Sequence, residues 1–323
     1  MKSLSYKDIH LIPNYSTLVS RNDADTSIEL GKFKFKLPVT PSNMASTIDF
    51  EKAKYLGKNG YFYVLHRFYE YEDILDWLYE VKDIRDFPIS ISIGIKDRDM
   101  ALINKAMMKD AIDVNYITVD VAHGDHVKVV EVLTYLKELK TKHFPNLFIV
   151  GGNIATTSAF LRMAPLVDAV KVGIGPGRSC ITYNKTGFLS PMFSTLNEIA
   201  IAREDLEYKP YIFADGGISN NGDIAKALVA GADMVMIGSV FAQCIDSPAL
   251  VDPTDPTKKL YFGSASKMNG NVKNIEGKTI SLPMNGMRYD EKLLEIKQDL
   301  ASAISYAGGE NLTAFKEVAW STF

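Results

Sequence analysis

Residues 211–239 read YIFADGGISNNGDIAKALVAGADMVMIGS and contain one whole strand–turn–helix–strand unit. The first apolar run ends in Asp215-Gly216-Gly217, where glycines allow the chain to turn sharply. A short helix opens near Asn221, and a second apolar run ends in Gly238-Ser239. Two strands joined through a helix run parallel, with a right-handed crossover.

The same unit repeats along the chain. Apolar runs at 37–42, 60–65, 89–95, 116–122, 147–153, 169–175, 211–217 and 234–239 give eight strand candidates. In the third, Ile and Ser alternate, so one face suits helices and the other a tight interior. Between the runs lie helical stripes, such as Ile74, Trp77, Leu78 and Val81, and again Val129, Leu133 and Leu136. Eight βα units predict a closed (β/α)8 TIM barrel of the α/β class, with an open doubly wound sheet as the alternative. We expect one domain over 1–323, with three stretches outside the alternation. These are an arm at 1–36 covering the barrel bottom or one side, an extended active-site loop at 175–193, and a flap at 243–283. Both late stretches are expected at the C-terminal face, where barrel active sites form.

Composition narrows the class. At 46% hydrophobic and 23% charged residues, the chain can bury a full core. Its 36 Lys+Arg against 39 Asp+Glu leave a net charge of −3, which points to neither nucleic acid nor membrane as a partner. Two cysteines make no disulfide framework, and MKSLSYKDIH lacks the apolar stretch of a signal peptide. A cytoplasmic enzyme is the expectation.

Chemistry concentrates at the strand ends. The glycines after the seventh and eighth strands stand where barrels commonly bind phosphate through backbone N–H groups. Tight turning alone would also explain them. The segment 173–182 reads GIGPGRSCIT, which places Cys180 among Gly, Arg, Ser and Thr instead of on an apolar face. Such a cysteine is a nucleophile candidate, with Arg178 able to favour its thiolate, while Cys244 reads as a buried small hydrophobe. Successive carbonyls of this loop could also hold a monovalent cation. Thr182, two residues on, can relay a proton if a carboxylate orients it. Glu276 is the candidate carboxylate; its plain alternative is a solvated surface charge. His123 and His126 lack the further ligands of a zinc site. Asp120 and the His66-Arg67 pair are expected to point to the same mouth. No N-terminal Rossmann fingerprint is present.

Motifs in order along the chain carry a resemblance. They are Asn43-Met44, Asp120-Val-Ala-His-Gly, Gly152-Asn153, Lys171-Val-Gly-Ile-Gly-Pro-Gly with Cys180-Ile-Thr, Lys185-Thr-Gly-Phe, Ala214-Asp-Gly-Gly-Ile, Met236-Ile-Gly-Ser, Tyr261-Phe-Gly-Ser-Ala-Ser and Ser305-Tyr-Ala-Gly-Gly. The chain resembles the IMP dehydrogenase/GMP reductase family, and its bacterial reductase branch in particular. The resemblance implies NADPH-dependent reductive deamination of GMP to IMP, with ammonia released through a covalent Cys180 thioimidate. Thr182 and Glu276 would handle protons on the departing amine. Asp215 would hold the ribose. Gly216, Gly217, Gly238, Ser239 and Tyr261 would surround the phosphate, with Ser264, Ala265, Ser266 and Gly277 beside the nucleotide. The nicotinamide would lie against Asp120, Val121, Ala122, Ile174 and Gly175, near Arg67. Tyr306 would meet the cofactor across a subunit boundary of a homotetramer. Potassium would sit at Gly175, Gly177 and Cys180.

The alternatives are an IMP dehydrogenase without its regulatory insertion and a catalytically silent nucleotide-binding barrel. Dehydrogenases of the family activate water with an Arg-Tyr pair on the flap, and between Tyr261 and Glu276 this chain has no Arg and no second Tyr. The intact set Cys180, Thr182 and Glu276 speaks against the silent barrel. Arg178, Ser179, Tyr183 and the run Phe188-Leu-Ser-Pro-Met depart from common family residues, as does Ala45 after Asn43-Met44.

Overall fold

The computed structural model describes residues 3–270 and 274–322, so the flap positions 271–273 and the first two residues of the arm lie outside the described residues. Seven parallel strands stand side by side in the order Val39–Pro41, Met234–Ile237, Tyr211–Asp215, Ala169–Val172, Phe148–Ile154, Tyr116–Asp120, Ser90–Ile93. They curl into an α/β barrel in which every neighbour pair is parallel.

The expected strand at 60–65 is corrected by the structure. It narrows to one parallel bridge, Leu65 to Ile91, with Ser92 N–H donating to the Leu65 carbonyl at 2.9 Å. Val39–Pro41, at the other end of the strand order, forms no ladder with it among the described residues, and Pro41 has no N–H to give. Packing holds the segment instead: Phe62 and Val64 turn to one apolar cluster, Tyr63 and Leu65 to another. Other strands are shorter than their apolar runs. The run from 169 leaves the sheet after Val172, where Gly173 takes a φ of +140°.

Helices cover the outside. Tyr71–Val81 buries Ile74, Trp77, Leu78 and Val81, the stripe read from spacing, and Val127–Lys142 buries Val129, Leu133 and Leu136. The Ile–Ser alternation resolves as expected: Ile91 and Ile93 join the core shared with the helices, while Ser90 and Ser92 are buried outside that cluster. Asn221–Val229 opens on Asn220, whose side chain accepts from the Asp223 N–H and satisfies one free helix-end donor.

The arm closes the barrel floor. Its hairpin, Ile28–Leu30 with Phe33–Phe35, packs on Phe62, Tyr116, Phe148, Phe213 and Met234 near the strand starts. Earlier in the arm, Ile9–Leu11 pairs antiparallel with Trp320–Thr322. The flap contains strands that the sequence reading did not assign. Val251–Asp252, Asp255–Phe262 and Thr279–Pro283 form an antiparallel sheet that carries 263–270 and 274–278 toward the mouth. No described helix is long and apolar enough to cross a membrane.

Candidate active site

A cavity of ≈ 910 Å³ opens at the C-terminal ends of the barrel strands. The loop after Ala169–Val172 leans into it, anchored by Ser190, whose hydroxyl accepts from the Ile174 N–H at 2.8 Å. The Ser190 N–H in turn donates to the Ile174 carbonyl at 2.7 Å, closing the loop's base. At its tip the Cys180 N–H donates to the Gly177 carbonyl at 2.9 Å, a tight turn that lifts the half-buried thiol toward the cavity.

The flap completes this tip. Cys180 and Gly277 form an antiparallel bridge, with Ile181 N–H to the Glu276 carbonyl and Lys278 N–H to the Ser179 carbonyl, both at 2.8 Å. That register sets three side chains in line. The Cys180 sulfur lies 3.1 Å from the Thr182 hydroxyl, which donates to Glu276 Oε2 at 2.6 Å. A hydroxyl has one proton, and Thr182 gives it to Glu276. A protonated Cys180 would donate to Thr182, and the three groups stand in one hydrogen-bonded line.

Behind the thiol is a buried charge cluster. Lys171 Nζ donates to Asp120 Oδ1 at 2.7 Å and to Asn43 Oδ1 at 3.2 Å, and lies 3.2 Å from Asp215 Oδ2. Its three donors thus meet three acceptors. Burial opposes the lysine's charge, but Asp120 and Asp215 overcome it and raise its pKa, so it stays ionised. Burial likewise opposes ionisation of Asp120, but Lys171 and Arg67 hold its carboxyl below the ordinary range. Asn153 Nδ2 donates to Asp215 Oδ2 and to the Gly173 carbonyl, both at 2.8 Å. One edge of Asp215 is thereby fixed, leaving Oδ1 for a ligand. Arg67 Nε donates to the Asp120 carbonyl at 3.0 Å.

The glycine turns sit to one side. Gly216 and Gly217 have φ of +97° and +84°, conformations that other residues adopt only under strain. A Cβ on Gly238 would collide with the Tyr261 hydroxyl, so the flap's tyrosine and the eighth strand's glycine share one spot. Burial pushes the Tyr261 hydroxyl's pKa far up, so it remains a neutral hydrogen-bond donor. Val121, Ala122, Ile174, Gly175 and Arg67 also line the cavity. A flat uncharged ring such as a nicotinamide suits that lining.

Most residues singled out from the sequence line this cavity: Cys180, Thr182, Glu276, Asp215, Gly216, Gly217, Gly238, Ser239, Tyr261, Ser264, Ala265, Gly277, Arg67, Asp120, Val121, Ala122, Ile174, Gly175 and Gly177. Three residues do not. Ser266 is buried, and its hydroxyl accepts from the Met268 N–H to cap a short turn instead of facing the cavity. Tyr306 is 64% exposed at the end of helix Tyr289–Tyr306 and does not line the cavity. His66 is buried against the Tyr69 ring, and burial lowers its pKa to about 4. Among the described residues no His, Cys, Asp and Glu cluster could hold a metal ion, and Cys244 is fully buried. Asn43, Asn153 and Lys171 were legible only as motif members. A lysine inside the apolar run Ala169-Val-Lys-Val was the one signal of a paired interior charge.

The chain matches the IMP dehydrogenase / GMP reductase domain over residues 3–320. It is 44% identical over 321 residues to a GMP reductase of Oenococcus oeni, covering 98% of this chain and 96% of the relative. A GMP reductase of Ligilactobacillus salivarius is 42% identical over 321 residues, covering 98% and 95%. One of Lactobacillus acidophilus is 45% identical over 323 residues, covering 98% and 94%.

Proposed function

This chain belongs to the IMP dehydrogenase / GMP reductase family, and we infer from its relatives and its site that it reduces GMP to IMP with NADPH. The observation that carries the reading is the line of Cys180, Thr182 and Glu276 at the mouth of the cavity. The thiol proton passes through Thr182 to Glu276, and the freed sulfur adds to C2 of the purine. Addition makes an sp³ centre, and Glu276 returns the proton through Thr182 to the amine, which leaves as ammonia. The bond that remains is a thioimidate between Cys180 and the ring. NADPH supplies the hydride that arrives at C2. Cys180 then departs with the electrons of the C–S bond, and IMP is released.

The rest of the lining binds and orients. Asp215, held on one edge by Asn153, takes the ribose hydroxyls with its free oxygen. The N–H groups of Gly216, Gly217, Gly238 and Ser239 and the Tyr261 hydroxyl receive the phosphate, with Ser264, Ala265 and Gly277 closing over the nucleotide. Asp120, Val121, Ala122, Ile174 and Gly175 take the nicotinamide, with Arg67 at its edge. Between Tyr261 and Glu276 the flap has no arginine to activate water, so the thioimidate is protected from hydrolysis. Beyond this core the reading extends to a potassium ion on the carbonyls of Gly175, Gly177 and Cys180. It also extends to a homotetramer in which Tyr306 reaches a neighbouring subunit's cofactor.

The test is direct. Purified protein with GMP and NADPH should consume reduced cofactor and release ammonia and IMP in equal amounts, and Cys180→Ala should do neither. Oxidation of IMP by NAD, with no turnover of GMP, would move the chain to the dehydrogenase branch.

A further inference from the structure

Lys259 is a buried cation outside the cavity. It lies in Asp255–Phe262, the middle strand of the flap's sheet, and is 3% exposed. The other buried lysines among the described residues each have a carboxylate: Lys171 has Asp120 and Asp215, and Lys292 has Glu295 at 2.8 Å. Lys259 has none within ion-pair distance among the described residues. Asp246, whose charge it feels, is engaged by Lys52 at 2.5 Å and by Arg288 at 3.5 Å. Lys259 donates instead to two neutral oxygens of one residue, the Ser247 carbonyl at 2.7 Å and the Ser247 hydroxyl at 2.9 Å. Burial opposes its charge and lowers its pKa. A cation buried on neutral partners is costly, and what it supplies is a fixed geometry.

The two ends of this contact belong to different parts of the fold. Ser247 lies just beyond the helix Ser239–Ala242, and its hydroxyl donates to the Ala242 carbonyl at 2.8 Å. Lys259 and Tyr261 stand two residues apart on one strand, so they share a face, and both are buried. Tyr261 packs with Ala242, Ala249 and Leu282, and its hydroxyl fills the space beside Gly238. The root of the flap is thus clamped at two points to the segment after the eighth strand. From the clamp the path to the site is short. Lys259 pairs with Leu282 in Thr279–Pro283, a strand that starts directly after Lys278. The Lys278 N–H reaches the Ser179 carbonyl, Gly277 bridges Cys180, and Glu276 accepts from Thr182.

We propose that Lys259 pins the root of the flap to the barrel and so holds Glu276 against Thr182, a positioning residue that acts through the carboxylate. The inference rests on the reading that Cys180, Thr182 and Glu276 carry out the chemistry on GMP. With the pin in place, the flap's sheet stands at one angle to the barrel, and its edge meets the loop of Cys180 in register. Without it the sheet keeps its own ladder but loses that angle, and the carboxylate drifts from the hydroxyl.

The test pairs Lys259→Met with Glu276→Gln in the full-length protein. Lys259→Met should lower kcat for GMP by about 10- to 100-fold, the weight of a misplaced catalytic group, with a smaller change in KM. In the Glu276→Gln background, where no carboxylate is left to misplace, the same substitution should cost about twofold or less. Lys259→Arg keeps the cation and its donors and should recover part of kcat. Alkylation of Cys180 by iodoacetamide without nucleotide should run faster in Lys259→Met, because the Gly277 bridge holds the loop tip less firmly. Ser247→Ala removes one acceptor from the other side of the pin; it should move both readouts the same way to a smaller extent, and it carries the test if Lys259→Met does not fold. Equal losses of kcat in the two backgrounds, or wild-type kcat and alkylation in folded Lys259→Met, would overturn the proposal. Failure of the wild type to turn over GMP would instead sink the substrate assignment, and the alkylation rates would then decide the pin alone.

Discussion

Glu276 accepts a 2.6 Å hydrogen bond from Thr182 across 94 residues of sequence, and the flap segment that carries it is registered on Cys180 through Gly277. The hydrogen-bonded line of Cys180, Thr182 and Glu276 is therefore assembled by backbone pairing between two separate loops, and neither loop holds it alone. Disturbing the carboxylate should affect chemistry without disturbing the binding corner.

Glu276→Gln keeps the shape but removes the proton acceptor. Its kcat should fall by about 10²- to 10⁴-fold, the usual weight of a general acid–base group, while GMP affinity changes little. Thr182→Val should show the same separation, since it cuts the path in the middle. Single-turnover release of ammonia, set against calorimetric binding of GMP, distinguishes this from a loss of nucleotide affinity.

Lys171→Met should destabilise the protein by about 3–5 kcal/mol, because buried Asp120 would be left beside an uncharged neighbour and Asp215 would lose its cation. The pH dependence should also change sign. In the wild type the folded Asp120 carboxyl lies below its ordinary value. Its contribution is thus present above the unfolded value, about 4, and lost as pH falls through the folded one. Without Lys171, burial raises the Asp120 carboxyl and the variant should lose stability as pH rises toward neutrality. Urea unfolding across that range reads the difference.

His66 is held neutral by burial, which lowers its pKa to about 4 although Asp120 pulls the other way. Unfolded histidine titrates at about 6.5, so the unfolded chain binds the proton first as pH falls. The stability contributed by neutral His66 is complete above that value and is lost on acidification to about pH 4. His66→Gln retains an acceptor for the Phe68 N–H, 3.1 Å away in the wild type, and does not titrate. The difference between wild-type and variant stability should slope through this window and level off above it.

Gly238→Ala places a methyl group into the Tyr261 hydroxyl and against Met44. We expect a loss of about 1–3 kcal/mol from overpacking, with weakened GMP binding as the flap base shifts. Adding Tyr261→Phe should restore much of the stability by removing the colliding oxygen. Thermal unfolding of the single and double variants, with a GMP titration of each, checks both statements.

The alternation of apolar runs and helical stripes was sufficient for the barrel, because βα units bury their faces locally and leave periodic traces. The run at 60–65 misled because it has the side-chain alternation of a strand while only Leu65 finds a ladder partner, Ile91. Ladder hydrogen bonds belong to pairs of segments, and one segment's pattern cannot report whether a partner pairs with it. The flap escaped for a related reason: its short strands are polar on one face and gain order only by pairing with each other.

By itself the sequence determined the nucleophile candidate, the glycine turns and the face of the barrel on which they meet, since these depend on residue type and on position relative to a strand end. It named Glu276 but could not tell a catalytic carboxylate from a solvated one. The tertiary structure brought that carboxylate to the Thr182 hydroxyl, and it also placed Lys171 between two aspartates, sent Ser266 to a turn and left Tyr306 outside the cavity. Each of these outcomes is a distance between residues far apart in the chain, set by how loops pack over the barrel mouth, and no local pattern encodes it.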